Sequence, residues 1–402
     1  MFTDPDTAIP ARREVCAVCA GGGLEPVVDL PKLPLTGIYC REPMEMPVAG
    51  FDQQLLLCGS CGHAQLARQL APGVLYDDRY SFRTSASATA RKGTTFFLSL
   101  LEEMAPERQF NCALDLGCND LYLLAQLKDR ARVRVGIDPL WCGREELRED
   151  KSIRVIGSTI EEVETAFLAQ ARPDLVLCRH TLEHIREPGA VLQRLLDVAA
   201  PDALFLFEVP GFDVLVRKLR FDQIFHQHLH YFNLSSFRRL IGGVGGRYLA
   251  HREHYQDWGA LLVAFTRGNG QKQAHHEIEG AFEASTIRDR YRLFRRHMSA
   301  FNDFLLSFEG EKVYGYGAAQ MLPVLAYHLG NDLSLLSLVV DDDPGKDGLY
   351  YWNLPPPIGR ADCVTDWEGA SVLITAVDSA RAILNKLLLR SPLQILYPLQ
   401  VM

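Results

Sequence analysis

The sequence predicts an α/β protein organised around a mostly parallel sheet with helices on both faces. Three observations predict it. First, Ala113–Leu116 is a short apolar strand, followed by a turn at Gly117–Asp120, an apolar-periodic segment at Leu121–Leu127 and a second strand, Val133–Ile137, that ends in Asp138. Strand, glycine turn, helix and strand with a terminal carboxylate is the first half of a nucleotide-binding unit. Second, the alternation continues through strands at Ile153–Ile156, Pro173–Cys178 and Ala203–Val209, with a helix at Ala190–Ala199; strands alternating with helices imply parallel pairing. Third, Glu311–Ala319 is another strand running into a glycine turn, with strands at Leu338–Val340 and Val372–Ala376 beyond it.

A chain of 402 residues exceeds one typical core. We divide it into an N-terminal module, 1–75, a central core, 76–270, and a C-terminal α/β domain, 271–402. Apolar residues make up 48% and charged residues 23%, a globular balance. A net charge of −8 argues against a nucleic-acid partner, because phosphate recognition needs a basic face. No apolar run approaches the roughly 20 residues that span a bilayer, and the N-terminus does not read as a signal peptide. The expected setting is cytoplasmic, with the ten cysteines as reduced thiols, some bound to metal.

The N-terminal module carries two Cys-x-x-Cys pairs, Cys16/Cys19 and Cys58/Cys61, with 38 residues between them. Each pair turns two thiolates toward one point, and four thiolates complete a closed tetrahedral zinc site. Gly59 and Gly62 suit the tight turn, and the intervening residues predict a small β-rich flap. Cys40 is a spare thiol, and His63 is not needed as a ligand. A closed site has no open position, so this zinc is structural.

Tyr76–Ser87 combines polar, aromatic and basic residues ahead of a helix from about Ala90 to Met104. Tyr80, Arg83 and Ser85 suit a sugar or a phosphate in a substrate lid; a surface linker is the other reading. In the turn, Asp115-x-Gly117-x-Asn119 has one glycine where a pyrophosphate site uses three. A ligand with a ribose and no phosphate, such as S-adenosylmethionine, needs less of that cradle. Asp138 would then hold the ribose hydroxyls, and Gly157–Thr159 would lie on the adenine side. Gly117, Asp138 and Leu182–His184 all fall at the carboxyl ends of strands, where such folds bind ligands.

Phe221–Phe232 holds His226, His228 and His230 at alternate positions. On a strand they would share one face and could hold a metal. The alternative is one proton acceptor with two packing partners, and histidine titrates in the right range for a base beside a ketone. We favour the base. Further on, the arginines of His275–Glu309 read as one face of a solvated connecting helix. Gly315-Tyr-Gly317 with Asp341–Asp343 after the next strand is a weak nucleotide signal.

Asp-x-Gly-x-Asn, the strand-terminal Asp138-Pro139 and Thr181-Leu-Glu183-His184-Ile-x-x-Pro together resemble class I S-adenosylmethionine-dependent methyltransferases. The resemblance implies a Rossmann-like core in which Asp115, Gly117, Asn119, Asp138, Pro139, Thr181, Glu183 and His184 line the cofactor. Over nearly its full length the chain resembles the three-domain zinc-containing sugar C-methyltransferases, which act on nucleotide-linked keto-deoxysugars. That resemblance implies His228 as the base, with His226 and Tyr80 beside it. It implies Arg83, Ser85, Phe225, Gln227, Tyr316 and Lys346 as substrate contacts, and a C-terminal degenerate Rossmann-like domain that closes the cleft. The chain departs from the family at Phe225 and Gln227, where tyrosine and glutamate are usual, and at Leu121, where the turn usually has glycine. It also departs in Asp257–Leu262, and at Gln320 and Val377, where lysine and asparagine are usual. The expected function is C-methylation of a nucleotide-linked sugar or related carbonyl metabolite. The alternative is O- or N-methylation of a different small molecule, or a binding protein.

Overall fold

The computed structural model describes residues 12–43, 50–71, 75, 83–254, 259–268 and 281–399. Tyr80 with the rest of residues 76–82, and Asp257, singled out above, lie outside these residues.

In the N-terminal region β1 (Leu24–Leu33), β2 (Tyr39–Cys40), β3 (Phe51–Cys58) and β4 (Ala64–Leu66) form the expected flap around the cysteine pairs. The central region supplies β5 (Phe110–Leu116), β6 (Ala131–Ile137), β7 (Ile153–Ile156), β8 (Leu175–Arg179), β9 (Leu204–Pro210), β10 (His230–Tyr231), β11 (Gly246–His254) and β12 (Ala260–Arg267). The C-terminal region supplies β13 (Val313–Tyr316), β14 (Leu336–Val340), β15 (Tyr350–Tyr351), β16 (Ile358–Gly359), β17 (Ser371–Ile374) and β18 (Gln394–Leu396).

The central sheet has the order β11-β12-β9-β8-β5-β6-β7. β5 to β9 are parallel, and β12 and β11 add an antiparallel edge. Both faces are covered, which explains the nearly continuous apolar strands. In β8, Val176 and Cys178 enter one apolar cluster while Leu175 and Leu177 enter the other. In β9, Phe205, Phe207 and Val209 alternate in the same way with Leu204 and Leu206. β5 pairs with β6 on one side and β8 on the other, so the winding reverses there and a crevice opens at the carboxyl ends of β5 and β8.

The sheets do not respect chain order. β10 pairs antiparallel with β4, so two residues beyond the central core's fifth parallel strand complete the flap sheet, β1-β3-β4-β10. β2 pairs with β15, which ties the flap to the C-terminal parallel sheet β16-β14-β13-β17-β18. Arg220 joins the central and C-terminal regions: its guanidinium donates to Asp222 at 2.9 and 2.8 Å and to Asp378 at 2.8 Å.

The arginine-rich helix corrects the expectation of a solvated connector. It spans Ala284–Leu306 and buries Ile287, Phe294, Met298 and Leu305 in one stripe. Arg288 donates to the Pro26 carbonyl at 2.8 Å and Arg295 to the His328 carbonyl at 2.8 Å. The helix docks the flap onto the C-terminal helix Leu322–Leu329.

Buried histidines set the acid limit of this fold. Burial holds His226 down at about 4 and His230 and His328 at about 3. Unfolded, each titrates near 6.5, so below that pH the unfolded chain binds more protons. The stability tied to their neutral forms is complete above about 6.5 and drains as pH falls toward 4. His180 has the opposite sign. Burial pulls it down, but the carboxylates of Glu183 and Glu208 push it up to about 9. Its contribution is complete below about 6.5 and is lost as pH rises through about 9. Urea midpoints are expected to fall from pH 7 to pH 5, less steeply in His328→Phe; equal slopes in the two proteins would exclude His328 as a cause.

Candidate cofactor and acceptor site

Each Cys-x-x-Cys pair closes a turn. The amide of Ala20 donates to the Cys16 carbonyl at 2.9 Å, and that of Gly62 to the Cys58 carbonyl at 2.8 Å. Ala20 and Gly62 take the same left-handed conformation, φ +58° and +69°. The four sulfurs lie within 4.8 Å of one another, with Cys16 and Cys61 3.7 Å apart and Cys19 and Cys58 3.6 Å apart. Zinc–thiolate bonds of about 2.3 Å in a tetrahedron put sulfurs about 3.8 Å apart, so the cage fits zinc. Without a cation the thiols compete for protons: hydrogen bonds within the cluster drive Cys58 down and Cys16 and Cys61 up. A divalent cation removes that conflict.

The cofactor crevice begins at Gly117. Its φ of +74° suits glycine, and any Cβ there would collide with Thr181 Oγ1. Asp115 is buried and pushed well up, by burial first and then by Asp138; its Oδ1 has no hydrogen-bond partner among the described residues. An orphaned buried carboxylate oxygen beside a side-chain-free turn fits a cationic ligand such as S-adenosylmethionine. Asp138 caps the turn: Oδ2 accepts from the Asn119 amide at 2.8 Å and Oδ1 from the Leu140 amide at 2.9 Å. Each oxygen keeps a second lone pair for a ribose hydroxyl. Pro139 opens the short turn Pro139–Trp141, and the Trp141 indole donates to the Asn119 carbonyl at 2.6 Å.

Leu121 takes the left-handed backbone conformation that favours glycine. It sits at φ +67°, with its side chain in the apolar cluster that holds Phe97, Leu124 and Leu206. Burial of the leucine offsets a left-handed conformation that costs roughly 1–2 kcal/mol.

Arg83 and Ser85 lie over this turn. The Ser85 amide donates to Asp120 at 2.8 Å, the Thr84 amide to Asn119 Oδ1 at 3.0 Å, and Arg83 bears electrostatically on Asp138. The structure therefore brings two residues expected at the substrate to the cofactor turn.

The three alternating histidines do not share a face. Residues 226–228 form a turn, and only His230 enters a strand. The amide of His228 donates to the Phe225 carbonyl at 3.1 Å and that of Leu229 to the Glu183 carbonyl at 2.8 Å, so no strand ladder forms there. His226 faces the Leu33 carbonyl at 2.9 Å and Gln53 at 3.5 Å. His230 faces His63 at 3.1 Å and the Ile185 carbonyl at 3.0 Å. His228 turns to the crevice, where its ring is 4.9 Å from that of His184, with Nε2 3.9 Å from Glu183 Oε1. The structure thus brings His228, His184 and Glu183 together and commits His226 to the flap. Burial first, then His184 and His180, hold His228 well below its usual range, so its imidazole is neutral.

The Phe225 ring lies against His228, with centroids 4.1 Å apart and the planes tilted by 40°. Gln227 receives Thr36 Oγ1 at 3.2 Å, and its carbonyl meets His184 Nδ1 at 2.8 Å. Tyr316 donates to Asp342 at 3.0 Å, and Lys346 donates to the Ala318 carbonyl at 2.9 Å. Both are thereby tied inside the C-terminal domain. Asp341 takes the Ala318 amide at 2.6 Å, the donor that a phosphate would use at a Gly-x-Gly turn.

Sequence reasoning missed a buried charge network beside the crevice. Glu208 Oε1 accepts from Arg179 Nε and faces His180 Nε2, each at 2.8 Å. Burial raises Glu208, but Arg179 and His180 outweigh it and hold the carboxyl low. The signal was present: a lone glutamate inside the apolar run Leu204–Pro210.

The comparisons with known proteins follow this division. Residues 16–76 match a family model described as a zinc binding domain, and residues 89–251 match one described as a methyltransferase domain. A C-methyltransferase of Streptomyces niveus, NovU, is 26% identical over 281 residues, 68% of this chain. The chain thus joins a zinc-binding domain to a methyltransferase domain. The match spans 65% of that relative's length. Among solved structures, the N-methyltransferase NodS of Bradyrhizobium japonicum with S-adenosyl-L-homocysteine is 16% identical, with a TM-score of 0.35 over 45% of this chain and 88% of its own. The 1,6-didemethyltoxoflavin-N1-methyltransferase of Burkholderia thailandensis is 17% identical, with a TM-score of 0.34 over 45% of this chain and 79% of its own. The cofactors of these two domains are S-adenosylmethionine and zinc. Among the described residues no helix is long and apolar enough to cross a membrane.

Two outcomes are expected. Chelation should release one zinc per chain and lower the melting temperature, with Cys58→Ser behaving like the stripped protein; metal release with an unchanged melt would remove zinc from the fold's support. Gly117→Ala should weaken S-adenosylmethionine binding at least tenfold in calorimetry while the zinc content stays constant. Equal affinity would show that the turn does not approach the cofactor.

Proposed function

We propose that the protein transfers a methyl group from S-adenosylmethionine to a carbon of a small-molecule acceptor, a nucleotide-linked sugar with a keto group. The observation that carries this reading is His228, a neutral buried imidazole beside Glu183 in the crevice that begins at Gly117. The name of the Streptomyces niveus relative supports carbon as the methylated atom. The working units are 1–75, 76–270 and 271–402, in a cytoplasmic protein.

When bound, S-adenosylmethionine supplies an electrophilic methyl group. The chain's own part is to hold, orient and deprotonate. Asp115, Gly117, Asn119 and Asp138 hold the cofactor, with Thr181 closing the turn. The acceptor's carbonyl acidifies the neighbouring C–H, and His228 takes that proton. A neutral imidazole is the competent form, and a dry crevice keeps it so. Alignment of carbon and methyl supplies much of the rate, so closure by the flap and the C-terminal domain matters as much as the base.

A second reading, O- or N-methylation of another small molecule or a binding role, is favoured by Phe225 and Gln227. Neither offers charge to an acceptor, and the Gln227 side chain is engaged with Thr36. One set of experiments separates the readings. The zinc-loaded protein should bind S-adenosylmethionine and S-adenosylhomocysteine at micromolar levels; binding of neither would sink methyl transfer. With a nucleotide-linked 4-keto-deoxysugar, turnover should appear together with exchange of a carbon-bound proton. His228→Ala should lower turnover by roughly 10²-fold or more with cofactor affinity unchanged. A fully active variant would remove His228 from the mechanism.

A further inference from the structure

Glu183 is the least satisfied charge-bearing group of the crevice. Its side chain is fully buried, and neither carboxylate oxygen has a hydrogen-bond partner among the described residues. His180, 3.6 Å away, compensates part of its charge, but both oxygens keep lone pairs for a hydrogen-bond donor. Three imidazoles lie near it, and two have hydrogen-bond partners of their own. His180 Nε2 is used by Glu208 at 2.8 Å, which leaves its Nδ1 3.6 Å from Glu183 Oε1. His184 Nδ1 faces the Gln227 carbonyl at 2.8 Å, so that nitrogen carries the proton. His228 presents Nε2 to Glu183 Oε1 at 3.9 Å, and its ring is wedged between Phe225 and His184.

We infer that Glu183 is the positioning residue for His228: its carboxylate accepts the Nε2–H, which fixes the tautomer that leaves the Nδ1 lone pair to act as base. The inference rests on His228 being the base. It also moves Glu183 away from the cofactor, where the Thr181–His184 motif had placed it. The 3.9 Å gap exceeds a hydrogen bond, but catalytic hydrogen bonds are often long before the substrate closes the site. In the step itself the acceptor's C–H bond breaks, its electron pair stays on the carbon beside the carbonyl, and the proton passes to Nδ1. The imidazolium that results is neutralised across Nε2–H by Glu183, the arrangement by which a buried carboxylate supports a histidine base.

A competing occupant follows from the same geometry. One ligand atom from each of Glu183, His184 and His228 lies within 4.8 Å of the others, and two histidines with one carboxylate is a known divalent-cation set. The test must separate the two. Imidazole nitrogen–proton correlation spectra of the zinc-loaded full chain should show His228 as the Nε2–H tautomer, with the signal assigned through His228→Asn. In Glu183→Gln the tautomer should change, S-adenosylmethionine affinity should stay within twofold, and kcat on a nucleotide-linked 4-keto-deoxysugar should fall about tenfold to hundredfold at constant KM. An unchanged tautomer overturns the inference. A loss of cofactor affinity as the main effect also overturns it, in favour of a cofactor ligand. So does a second equivalent of metal that disappears in Glu183→Gln. If the wild-type protein binds no cofactor and turns nothing over, the methyl-transfer reading fails, and the tautomer comparison alone decides the role of Glu183.

Discussion

The crevice depends on neutralising one buried carboxylate. Glu208 stands in an otherwise apolar strand at the middle of the sheet, and burying a lone charge there is prohibitive. Arg179 and His180, at the end of the neighbouring strand, neutralise it, both 2.8 Å away. That requirement propagates outward. The Arg179 guanidinium reaches the Ala90 carbonyl at 3.2 Å and Thr94 Oγ1 at 3.0 Å, which fastens the helix Ala88–Met104 to the sheet. It occupies the space above Gly93, where a glycine in the helix interior, at a helix-propensity cost of about 1 kcal/mol, leaves the guanidinium room. His180 adopts a left-handed φ of +50° to face Glu208, and from there its other nitrogen looks at Glu183. Charge compensation thus sets where the helix, the strand ends and the Thr181–His184 segment sit relative to one another.

The zinc module acts on the site through backbone and buried polar contacts. The segment that presents His228 has almost no regular structure of its own. β10 pairs with β4, His226 is clamped to the Leu33 carbonyl, Thr36 holds Gln227, and His230 meets His63 two residues beyond Cys61. Without zinc the two knuckles would hold four competing thiols, and the flap that grips residues 226–231 would lose its anchor. A structural metal can in this way govern a site it never touches. The same logic extends to the C-terminal domain, whose strand β15 pairs with β2 and whose Gly-x-Gly turn is closed by its own Asp341 and by Tyr39 of the flap.

Elements whose chemistry is local were legible in the sequence. The cysteine pairs carry their geometry in four-residue turns. The Gly117 turn needs a left-handed residue that the sequence supplies, and buried parallel strands show themselves as apolar runs. The alternating histidines misled, because a two-residue period reads as a strand when the hydrogen bonds cannot be seen. Here the backbone turns back on Phe225 and reaches Glu183 instead, and the three rings diverge. The arginine-rich helix misled for a related reason: a charged composition hid the stripe Ile287, Phe294, Met298 and Leu305 that docks it.

The sequence by itself determined the zinc cage, the nucleotide-type turn and the α/β class, since each rests on residues a few positions apart. Only the tertiary structure decided which histidine enters the crevice, that Glu208 is answered from 29 residues away, and that Glu183 faces His228. Those outcomes rest on desolvation. A charge buried between strands takes whatever partner the packing brings, and packing between distant segments is not written in the spacing of either one.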